Sequence, residues 1–337
     1  MEFEPPVLFA LDARTSSVPS SSGDAIVPRC IPAGSRLWRD GAERLASTRW
    51  SKSVASACAN NESWQQQFAT AQRRPRFGSQ RAARAHRKTM NHPPRMPWGA
   101  FPDVIILAAE PVVKRHPEYA KAKSGDIGAA RALVAELVSQ DRLEAVKSLL
   151  RRGPGQHGLP TLVSAHAHER GGINAIPIAL ATLLGTRLGL PREATVVQTN
   201  VVSHTGASGY GRLARQARFS GELQPGREYV LVDNFVGQGG TLANLRGWVH
   251  AVGGKAIGAR VLTGKKHSAR LSPSKERLDA LRERHGVGLE QWWRDQFGHS
   301  FDCLTQSEAR YLERSPNAET IRSRLAAAKQ EGDGSSN

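Results

Sequence analysis

The stretch that decides the fold is Tyr229 to Leu242, YVLVDNFVGQGGTL. Its first four residues are apolar and rich in β-branched side chains, which is typical of a strand buried on both faces of a parallel sheet. The glycine-rich run that follows opens a predicted helix over residues 242–252. We therefore expect an α/β domain in which Asp233 lies at the carboxyl end of a buried strand, the edge where ligands bind in open α/β sheets.

The turn over residues 237–241, Gly-Gln-Gly-Gly-Thr, has the composition of an anion site. Glycines let the backbone approach a phosphate, the first N–H groups of a helix lack internal partners, and the Thr241 hydroxyl can donate one more hydrogen bond. The turn has neither the Lys of a Walker loop nor the spacing of a dinucleotide fingerprint. Asp233 can instead accept both hydroxyls of a ribose whose 5′-phosphate lies in the turn. An ordinary strand–turn–helix unit without a ligand is the alternative interpretation.

This stretch resembles the diphosphoribose-binding signature of type I phosphoribosyltransferases, in which four apolar, two acidic and two apolar residues precede a Thr/Gly-rich turn ending in Gly-Thr. Asn234 stands where the family usually has its second acidic residue, and Gly237 stands where some members have Asp. The resemblance covers residues 159–264. It implies a Rossmann-like parallel sheet with helical flanking segments, which binds phosphoribosyl pyrophosphate with Mg²⁺ and transfers the phosphoribosyl group to a nitrogenous base, releasing pyrophosphate.

The resemblance also implies a role for each site residue. Asp233 would hold the ribose hydroxyls, directly or together with Mg²⁺, and Asn234 would complete this catalytic pair. The turn would bind the 5′-phosphate, the loop that begins at Arg170 would bind the pyrophosphate, and a cationic loop over residues 203–218 would close over the site. The residues predicted to bind substrate are Arg170, Gly171, Gly172, Arg212, Val236, Gly237, Gln238, Gly239, Gly240 and Thr241.

Composition shifts along the chain divide it into four segments. Residues 1–97 show no sustained hydrophobic period and are expected to form a disordered basic extension, unless Met90 is the true initiator. Residues 98–155 are expected to form a helical hood, residues 156–265 the phosphoribosyltransferase-like core, and residues 266–337 a helical C-terminal segment. Strands are predicted over 101–109, 159–165, 194–201 and 256–262, and helices over 126–139, 141–149, 174–188, 273–285, 289–297 and 317–330. Ser272 is expected to cap the helix that ends at His285, and Thr305-x-x-Glu308 indicates a capping box at a further helix start. Lys265, Lys266 and His267, at the carboxyl end of the strand over 256–262, could reach an acidic substrate or serve surface solubility.

The charge of the chain points to a polyanionic partner. The sequence has 47 Lys and Arg against 30 Asp and Glu, a formal net charge of +17, with a basic tract at residues 73–88. A phosphate-rich ligand and a nucleic acid both fit this balance. The expected partners are phosphoribosyl pyrophosphate and an unidentified base, with weak nucleic-acid contact through the basic head and a homodimer left open. The alternative function is a non-catalytic regulator or nucleic-acid-binding protein that uses the site as a ligand sensor.

Several other residues indicate the compartment and raise further alternatives. Cys30, Cys58 and Cys303 are too few and too scattered for a disulfide framework, so we expect a cytoplasmic protein. The N-terminus lacks the basic and apolar regions of a secretory signal, and no apolar run is long enough to predict a membrane helix. His166 and His168 could begin a metal site or supply loop polarity. The pair Trp292 and Trp293 is expected to pack against the main domain, with stacking on a base as the alternative.

Overall fold

The computed structural model of the protein describes residues 7–9, 30–32, 94–150, 158–169, 172–202 and 208–333. The chain divides after residue 70 into two units. In the first unit, strands β1 (Val7–Phe9) and β2 (Cys30–Pro32) pair antiparallel. The basic tract at 73–88 and the Met90 alternative lie outside the described residues.

The second unit alternates strands and helices before it becomes wholly helical. Its strands are β3 (Ile105–Ile106), β4 (Thr161–Ser164), β5 (His166–Glu169), β6 (Gly172–Ile173), β7 (Arg192–Glu193), β8 (Val197–Gln198), β9 (Phe219–Ser220), β10 (Glu228–Val236) and β11 (Lys255–Gly264). Its helices are α1 (Glu110–Arg115), α2 (Tyr119–Lys123), α3 (Ile127–Leu137), α4 (Gln140–Leu150), α5 (Ile176–Leu188), α6 (Gly209–Ala214), α7 (Gly240–Ala251), α8 (Lys275–His285), α9 (Val287–Phe297), α10 (Gln306–Glu313) and α11 (Ala318–Asp333).

A five-stranded sheet in the order β3-β11-β10-β4-β7 forms the centre of the unit. Every neighbouring pair in it is parallel, so the predicted parallel α/β sheet is confirmed. Because side chains alternate between the two faces of a strand, Tyr229 and Leu231 point to one face, where they pack in a core with α7. Helix α5 covers the other face, and nine of its residues are buried. Helices on both faces of a parallel sheet make this a Rossmann-like α/β arrangement.

Strand β10 is longer than the sequence predicts. Phe235 and Val236 still pair with Thr263 and Gly264 of β11, so the strand ends at Val236. Asp233 therefore lies inside the strand, three residues before its end, rather than at the end itself. The helix that follows begins at Gly240, two residues before the predicted start.

Residues 194–201 do not form the predicted second strand of the main sheet. Only β8 is extended there, and it belongs to a separate four-stranded sheet in the order β6-β5-β8-β9. The strand beside β4 is β7, which stops after Glu193 because the Glu193 carboxylate accepts hydrogen bonds from the N–H groups of Ala194 and Thr195. A side chain that satisfies these N–H groups removes them from the strand ladder.

The C-terminal helices form a second hydrophobic core. Trp293 is fully buried at its centre, together with side chains from α8 to α11. Trp293 is therefore a packing residue, as predicted, but its neighbours belong to the C-terminal helices and α6 and not to the main sheet. Its burial is incompatible with stacking of that indole on a base. Ser274, not Ser272, caps α8 by accepting from the Arg277 N–H.

Helix α6 belongs to this second core, although the sequence predicts one closing loop over residues 203–218. Tyr210 and Leu213 are buried among the C-terminal helices, and the Tyr210 hydroxyl lies 2.5 Å from Ser315 Oγ. Burial of the Tyr210 and Leu213 side chains therefore holds α6 against the C-terminal helices. Residues 203–207 lie outside the described residues.

The segment over residues 94–101 is bound to α7, although its first four residues fall in the predicted disordered extension. Arg246 of α7 donates to the carbonyls of Met96, Pro97 and Trp98 at 3.0–3.1 Å. A side chain at Gly247 would meet the Pro94 carbonyl, so the two backbones are in direct contact. Further along, β3 pairs with β11, which places part of the predicted hood segment in the main sheet.

Among the described helices, none has both the length and the apolar character needed to cross a bilayer.

Candidate functional site

A cavity of about 660 Å³ lies at the carboxyl edge of the main sheet. This volume falls within the range of small-molecule sites, roughly 300–1,000 Å³. Its wall is formed by the end of β10, the first residues of α7, helices α1, α2, α6 and α10, and the turn after β11. The lining residues with polar or charged side chains are Glu110, Lys114, Tyr119, Lys123, Asn174, Gln198, Arg212, Asp233, Asn234, Gln238, Thr241, Lys265, His267, Ser307, Glu308, Arg310, Tyr311 and Arg314.

The glycine turn forms one end of the cavity. Gly239 has φ +85° and occupies the N-cap position of α7, where no side chain of the described residues caps the helix. The residues from Gly237 to Leu242 all line the cavity. The first intrahelical bond runs from the Ala243 N–H to the Gly239 carbonyl, so the preceding N–H groups are left for another acceptor. A twelve-residue helix thus turns its positive end toward the cavity.

Asp233 and Asn234 lie on the cavity wall beside this turn. The Asp233 carboxylate accepts a hydrogen bond from the Asn234 N–H at 2.7 Å, which fixes its orientation. Both residues are half-buried. The cavity therefore has one carboxylate and one amide side by side, where a pair of carboxylates would carry twice the negative charge.

Two lysines on the wall share one carboxylate. Glu110 of α1 lies 2.6 Å from Lys114 Nζ and 2.8 Å from Lys265 Nζ, and hydrogen bonds from these two lysines lower the pKa of the Glu110 carboxyl group. The two lysine side chains are about half exposed, at 50% and 52%, whereas the Glu110 side chain is 14% exposed. Lys114 Nζ also lies 5.3 Å from the centre of the Phe235 ring. Lys114 and Lys265, which share Glu110, are called the lysine pair below.

Three arginines add further positive charge to the wall. Arg212 comes from α6, Arg310 from α10 and Arg314 from the end of α10. Among the ion pairs between described residues, none joins these arginines to a carboxylate. Burial lowers the pKa of His267, and the charges of Arg310 and Lys265 lower it further. The lining contains six Lys and Arg against three Asp and Glu, which favours an anionic ligand.

A buried ion pair lies directly behind the glycine turn. Arg95 Nη1 is 2.7 Å from Glu308 Oε2 and Arg95 Nη2 is 3.0 Å from Glu308 Oε1, and the two side chains are only 1% and 2% exposed. Arg95 Nε also donates to Asn244 Oδ1 in α7 at 2.6 Å. Thr305 donates to the Gln238 carbonyl at 2.5 Å. These four residues, Arg95, Asn244, Thr305 and Glu308, are called the clamp below, because they bind the turn to the C-terminal helices.

The structure brings most of the predicted site residues together. Asp233, Asn234, Arg212 and the turn from Gly237 to Thr241 all line the one cavity. Val236 is buried and Gly172 is exposed, and neither lies on the cavity wall. Arg170 and Gly171 lie outside the described residues, as do the side chains of His166 and His168.

Sequence reasoning missed the clamp and most of the wall. The capping box Thr305–Glu308 was visible as a helix start and is confirmed, but nothing local to it indicates that Glu308 also contacts Arg95, 213 residues away. Lys265 and His267 follow a predicted strand, so they could have been assigned to the ligand site. Surface solubility explained their position equally well. The side chains of α10 that line the cavity are spaced at i, i+3 and i+7, as in Ser307, Arg310 and Arg314, which marks one helix face.

The fold and the cavity define an α/β protein with a cationic small-molecule site at the edge of a parallel sheet. No protein-family model matches the chain. The chain is 39% identical over 237 residues to protein TraN of Escherichia coli, which covers 70% of this chain and 52% of TraN. It is 36% identical over 149 residues to an uncharacterized protein of Haemophilus influenzae, covering 44% of this chain and 32% of that protein. The chain thus spans about half or less of the length of these relatives.

Among solved structures, the chain is similar to phosphoribosyltransferases at a low level. An adenine phosphoribosyltransferase is 14% identical, with a TM-score of 0.26 over 38% of this chain and 70% of its own. The adenine phosphoribosyltransferase of Thermoanaerobacter pseudethanolicus is 14% identical, with a TM-score of 0.25 over 39% of this chain and 72% of its own. UMP synthase of Leishmania donovani is 14% identical, with a TM-score of 0.24 over 59% of this chain and 35% of its own. Because these identities and TM-scores are low, the functional interpretation depends on the geometry of the cavity.

Proposed function

We propose that this chain is a phosphoribosyltransferase-like protein that binds phosphoribosyl pyrophosphate and transfers its phosphoribosyl group to a nitrogenous base, with release of pyrophosphate. One observation carries the proposal: Asp233 and the uncapped, glycine-rich start of α7 line the same cationic cavity. A carboxylate that can accept two hydroxyls, beside a helix start that can bind a phosphate, matches the two ends of a ribose 5-phosphate.

Different residues of the cavity bind different parts of the ligand. The N–H groups at Gly240 and Thr241, together with the Thr241 hydroxyl, bind the 5′-phosphate, and Asp233 accepts from the ribose hydroxyls. Arg212, Arg310 and the lysine pair neutralise the pyrophosphate. In the reaction, the base nitrogen forms a bond to the anomeric carbon as the bond from that carbon to the pyrophosphate oxygen breaks, and the electron pair leaves with pyrophosphate. The protein contributes orientation and charge neutralisation.

Magnesium fits this cavity as an ion carried by the substrate. Among the described residues, no group of three or more His, Cys, Asp and Glu could hold a metal ion. Mg²⁺ commonly takes one or two protein carboxylates and completes its shell with phosphate oxygens and water. Asp233 supplies the carboxylate, Asn234 an amide oxygen, and the bound ion would lower the charge of the leaving pyrophosphate. Because Asn234 stands in place of an acid, the protein would offer Mg²⁺ one carboxylate and one amide oxygen instead of two carboxylates. The contact would be weaker but retained.

Calorimetric titration with phosphoribosyl pyrophosphate, with and without Mg²⁺, tests the proposal. The wild type is expected to bind in roughly the micromolar to millimolar range, more tightly with Mg²⁺. Asp233→Asn is expected to bind at least about tenfold more weakly, because it loses charged hydrogen bonds to the ribose. Asp279→Asn, an exposed aspartate paired with Lys275 on α8, is the matched control. Equal binding by wild type and Asp233→Asn would contradict the assigned role of Asp233.

A second function, a regulator or nucleic-acid-binding protein that keeps this cavity as a ligand sensor, is favoured by Asn234 and by the net charge of +17. A protein that binds through phosphate contacts loses affinity steeply as salt rises, in proportion to the number of contacts. Binding to nonspecific DNA between 50 and 200 mM salt, roughly the range over which such contacts are lost, separates the two functions. A steep salt dependence together with no pyrophosphate release from any base would favour the regulator.

A further inference from the structure

Glu308 places a carboxylate against the start of α7, where the proposed function needs positive charge. A side chain at Gly240 would have its Cβ 2.8 Å from Glu308 Oε1, and Glu308 lines the cavity. A carboxylate near a helix start is attracted to the same partial positive charge as an incoming phosphate. Left uncompensated, Glu308 would therefore compete with the ligand inside the protein.

Arg95 is built to cancel this charge. Its guanidinium meets the Glu308 carboxylate with two parallel hydrogen bonds, the strongest geometry for such a pair. The same guanidinium holds Asn244 on the second turn of α7 through Nε, and its Nη2 would lie 3.3 Å from a Cβ at Gly240. Arg95 is thus positioned by α7, and its positive charge lies as close to the start of that helix as the carboxylate does.

Within the part of the chain that the structure describes, the Glu308 carboxylate forms its ion pair with Arg95. Glu308 Oε2 accepts from the Thr305 N–H at 2.8 Å as part of the capping box. Burial by itself raises the pKa of Glu308, but attraction to Arg95 and the hydrogen bonds from it outweigh burial, with smaller contributions from Thr305 and His299. The carboxyl group therefore stays charged, and Arg95 is its main partner.

We propose that Arg95 is a positioning residue of the anion site: it neutralises Glu308 behind the turn, so that the start of α7 stays available to the 5′-phosphate. The proposal rests on the proposed function of the turn as a phosphate site. Arg95 acts through Glu308 and Asn244 and does not touch the ligand. The ion pair therefore determines ligand affinity as well as the attachment of residues 94–101.

Arg246 provides a control that separates these two roles. Like Arg95, it is a buried arginine that binds the segment 94–101 to α7, through the carbonyls of Met96, Pro97 and Trp98. It stacks on the Trp98 ring with its guanidinium carbon 4.8 Å from the ring centre. Among the described residues, the hydrogen bonds and ring contacts of its side chain all lie within residues 96–101 and none reaches the glycine turn. Arg246→Met loosens the segment and leaves the charge of Glu308 paired.

The experiment measures the dissociation constants of phosphoribosyl pyrophosphate and of sulfate by calorimetry for five full-length proteins: wild type, Arg95→Met, Arg95→Lys, Arg246→Met and the double variant Arg95→Met/Glu308→Gln. Arg95→Met is expected to bind both probes about 10- to 100-fold more weakly than the wild type, because an uncompensated carboxylate then faces the ligand. The double variant, Arg95→Lys and Arg246→Met are each expected to stay within about threefold of the wild type, even where they are less stable. Should Arg95→Met fail to fold, the double variant and Arg95→Lys still decide the outcome.

Three results would overturn the inference. Wild-type affinity in Arg95→Met would show that Glu308 does not compete with the ligand. Equal loss in Arg95→Met and in the double variant, or in Arg246→Met, would show that only the attachment of residues 94–101 matters. If the wild type binds neither probe, the phosphate role of the turn fails, and the proposed function fails with it. The failure of the inference alone is recognised by a wild type that binds both probes.

Discussion

The cavity wall contains two sets of paired charges, and they differ in almost everything except their chemistry. Behind the turn, Arg95 and Glu308 are 1% and 2% exposed and joined by two hydrogen bonds. Elsewhere on the wall, Lys114 and Lys265 share Glu110 while both lysine side chains are about half exposed. Breaking a buried pair leaves a charge that water cannot reach, whereas an exposed pair exchanges its partner for water at little cost.

This difference indicates a division of labour around the ligand. The buried clamp presets the shape and charge of the turn before any ligand arrives, which reduces the ordering cost of binding. The exposed lysines can leave Glu110 and turn to an incoming phosphate. The rigid side thus selects the ligand by position, and the adjustable side contributes charge.

The largest expected effect comes from breaking the buried pair. Arg95→Met leaves the Glu308 carboxylate buried without its partner, so the free energy of unfolding is expected to fall by about 3–5 kcal/mol. Lys114→Met, the matched change on the exposed side, is expected to cost less than about 1 kcal/mol. Urea unfolding followed by circular dichroism measures both. Similar losses in the two variants would contradict the contrast between buried and exposed pairs.

The next effect comes from the turn itself. Gly239→Ala places a Cβ 2.6 Å from Leu271 Cδ2 at a residue with φ +85°, so steric conflict adds to the backbone strain. We expect a loss of about 2–3 kcal/mol of unfolding free energy. Gly189→Ala is the control, because Gly189 is also left-handed at φ +67° but has no neighbour within 4 Å of an added Cβ; backbone strain alone should cost about 1 kcal/mol there. Equal losses at the two positions would show that the contact with Leu271 is unimportant.

A smaller effect is expected in acid. Because the folded protein lowers the pKa of Glu308 below its ordinary value of 4.5, the pair stabilises the fold fully above that value, and this stabilisation is lost as pH falls through the folded pKa. The urea midpoint of the wild type should therefore drop more steeply below pH 4.5 than that of Glu308→Gln, which has no carboxyl group to titrate at this position. Parallel curves for the two proteins would show that Glu308 does not contribute to acid sensitivity.

The smallest effect on stability, with the opposite effect on binding, is expected at Glu110. Glu110→Gln removes a carboxylate whose two lysine partners are about half exposed, so unfolding free energy should change by no more than about 0.5 kcal/mol. The lysine pair is then unneutralised, and phosphoribosyl pyrophosphate should bind about two- to fivefold more tightly at low salt. The gain should shrink as salt is raised, since exposed charges are screened. Weaker binding by this variant would mean that Glu110 itself contacts the ligand.

The centre of the fold was predictable from the sequence because its signals are local. The apolar run of β10 and the glycines after it fall within 14 residues, from Tyr229 to Leu242, and the structure confirms the strand, the turn and the helix. The capping box of α10 was found for the same reason. Strand ends were predicted less well: β10 runs on to Val236 because β11 continues beside it, and the sequence of β10 alone does not contain that information.

The clamp was not predictable, because each of its contacts joins distant parts of the chain. Arg95 lies in a stretch without periodicity, which favours a disordered extension, and its burial depends on Asn244 and Glu308, 149 and 213 residues away. Helix α6 was missed for a related reason. Its glycines and arginines are typical of a mobile loop. The helix is held by the C-terminal core that buries Tyr210 and Leu213 and by the Ser208 side chain, which caps it by accepting from the Gly211 N–H.

A crystal structure of the protein with phosphoribosyl pyrophosphate and Mg²⁺ tests the central claim most directly, because it shows which side of the cavity takes the 5′-phosphate. We predict phosphate oxygens at about 2.7–3.2 Å from the N–H groups of Gly240 and Thr241, with the ribose hydroxyls on Asp233 and the Arg95–Glu308 pair unchanged. A ligand whose phosphates lie only on Lys114 and Lys265, with the turn unoccupied, would contradict the account.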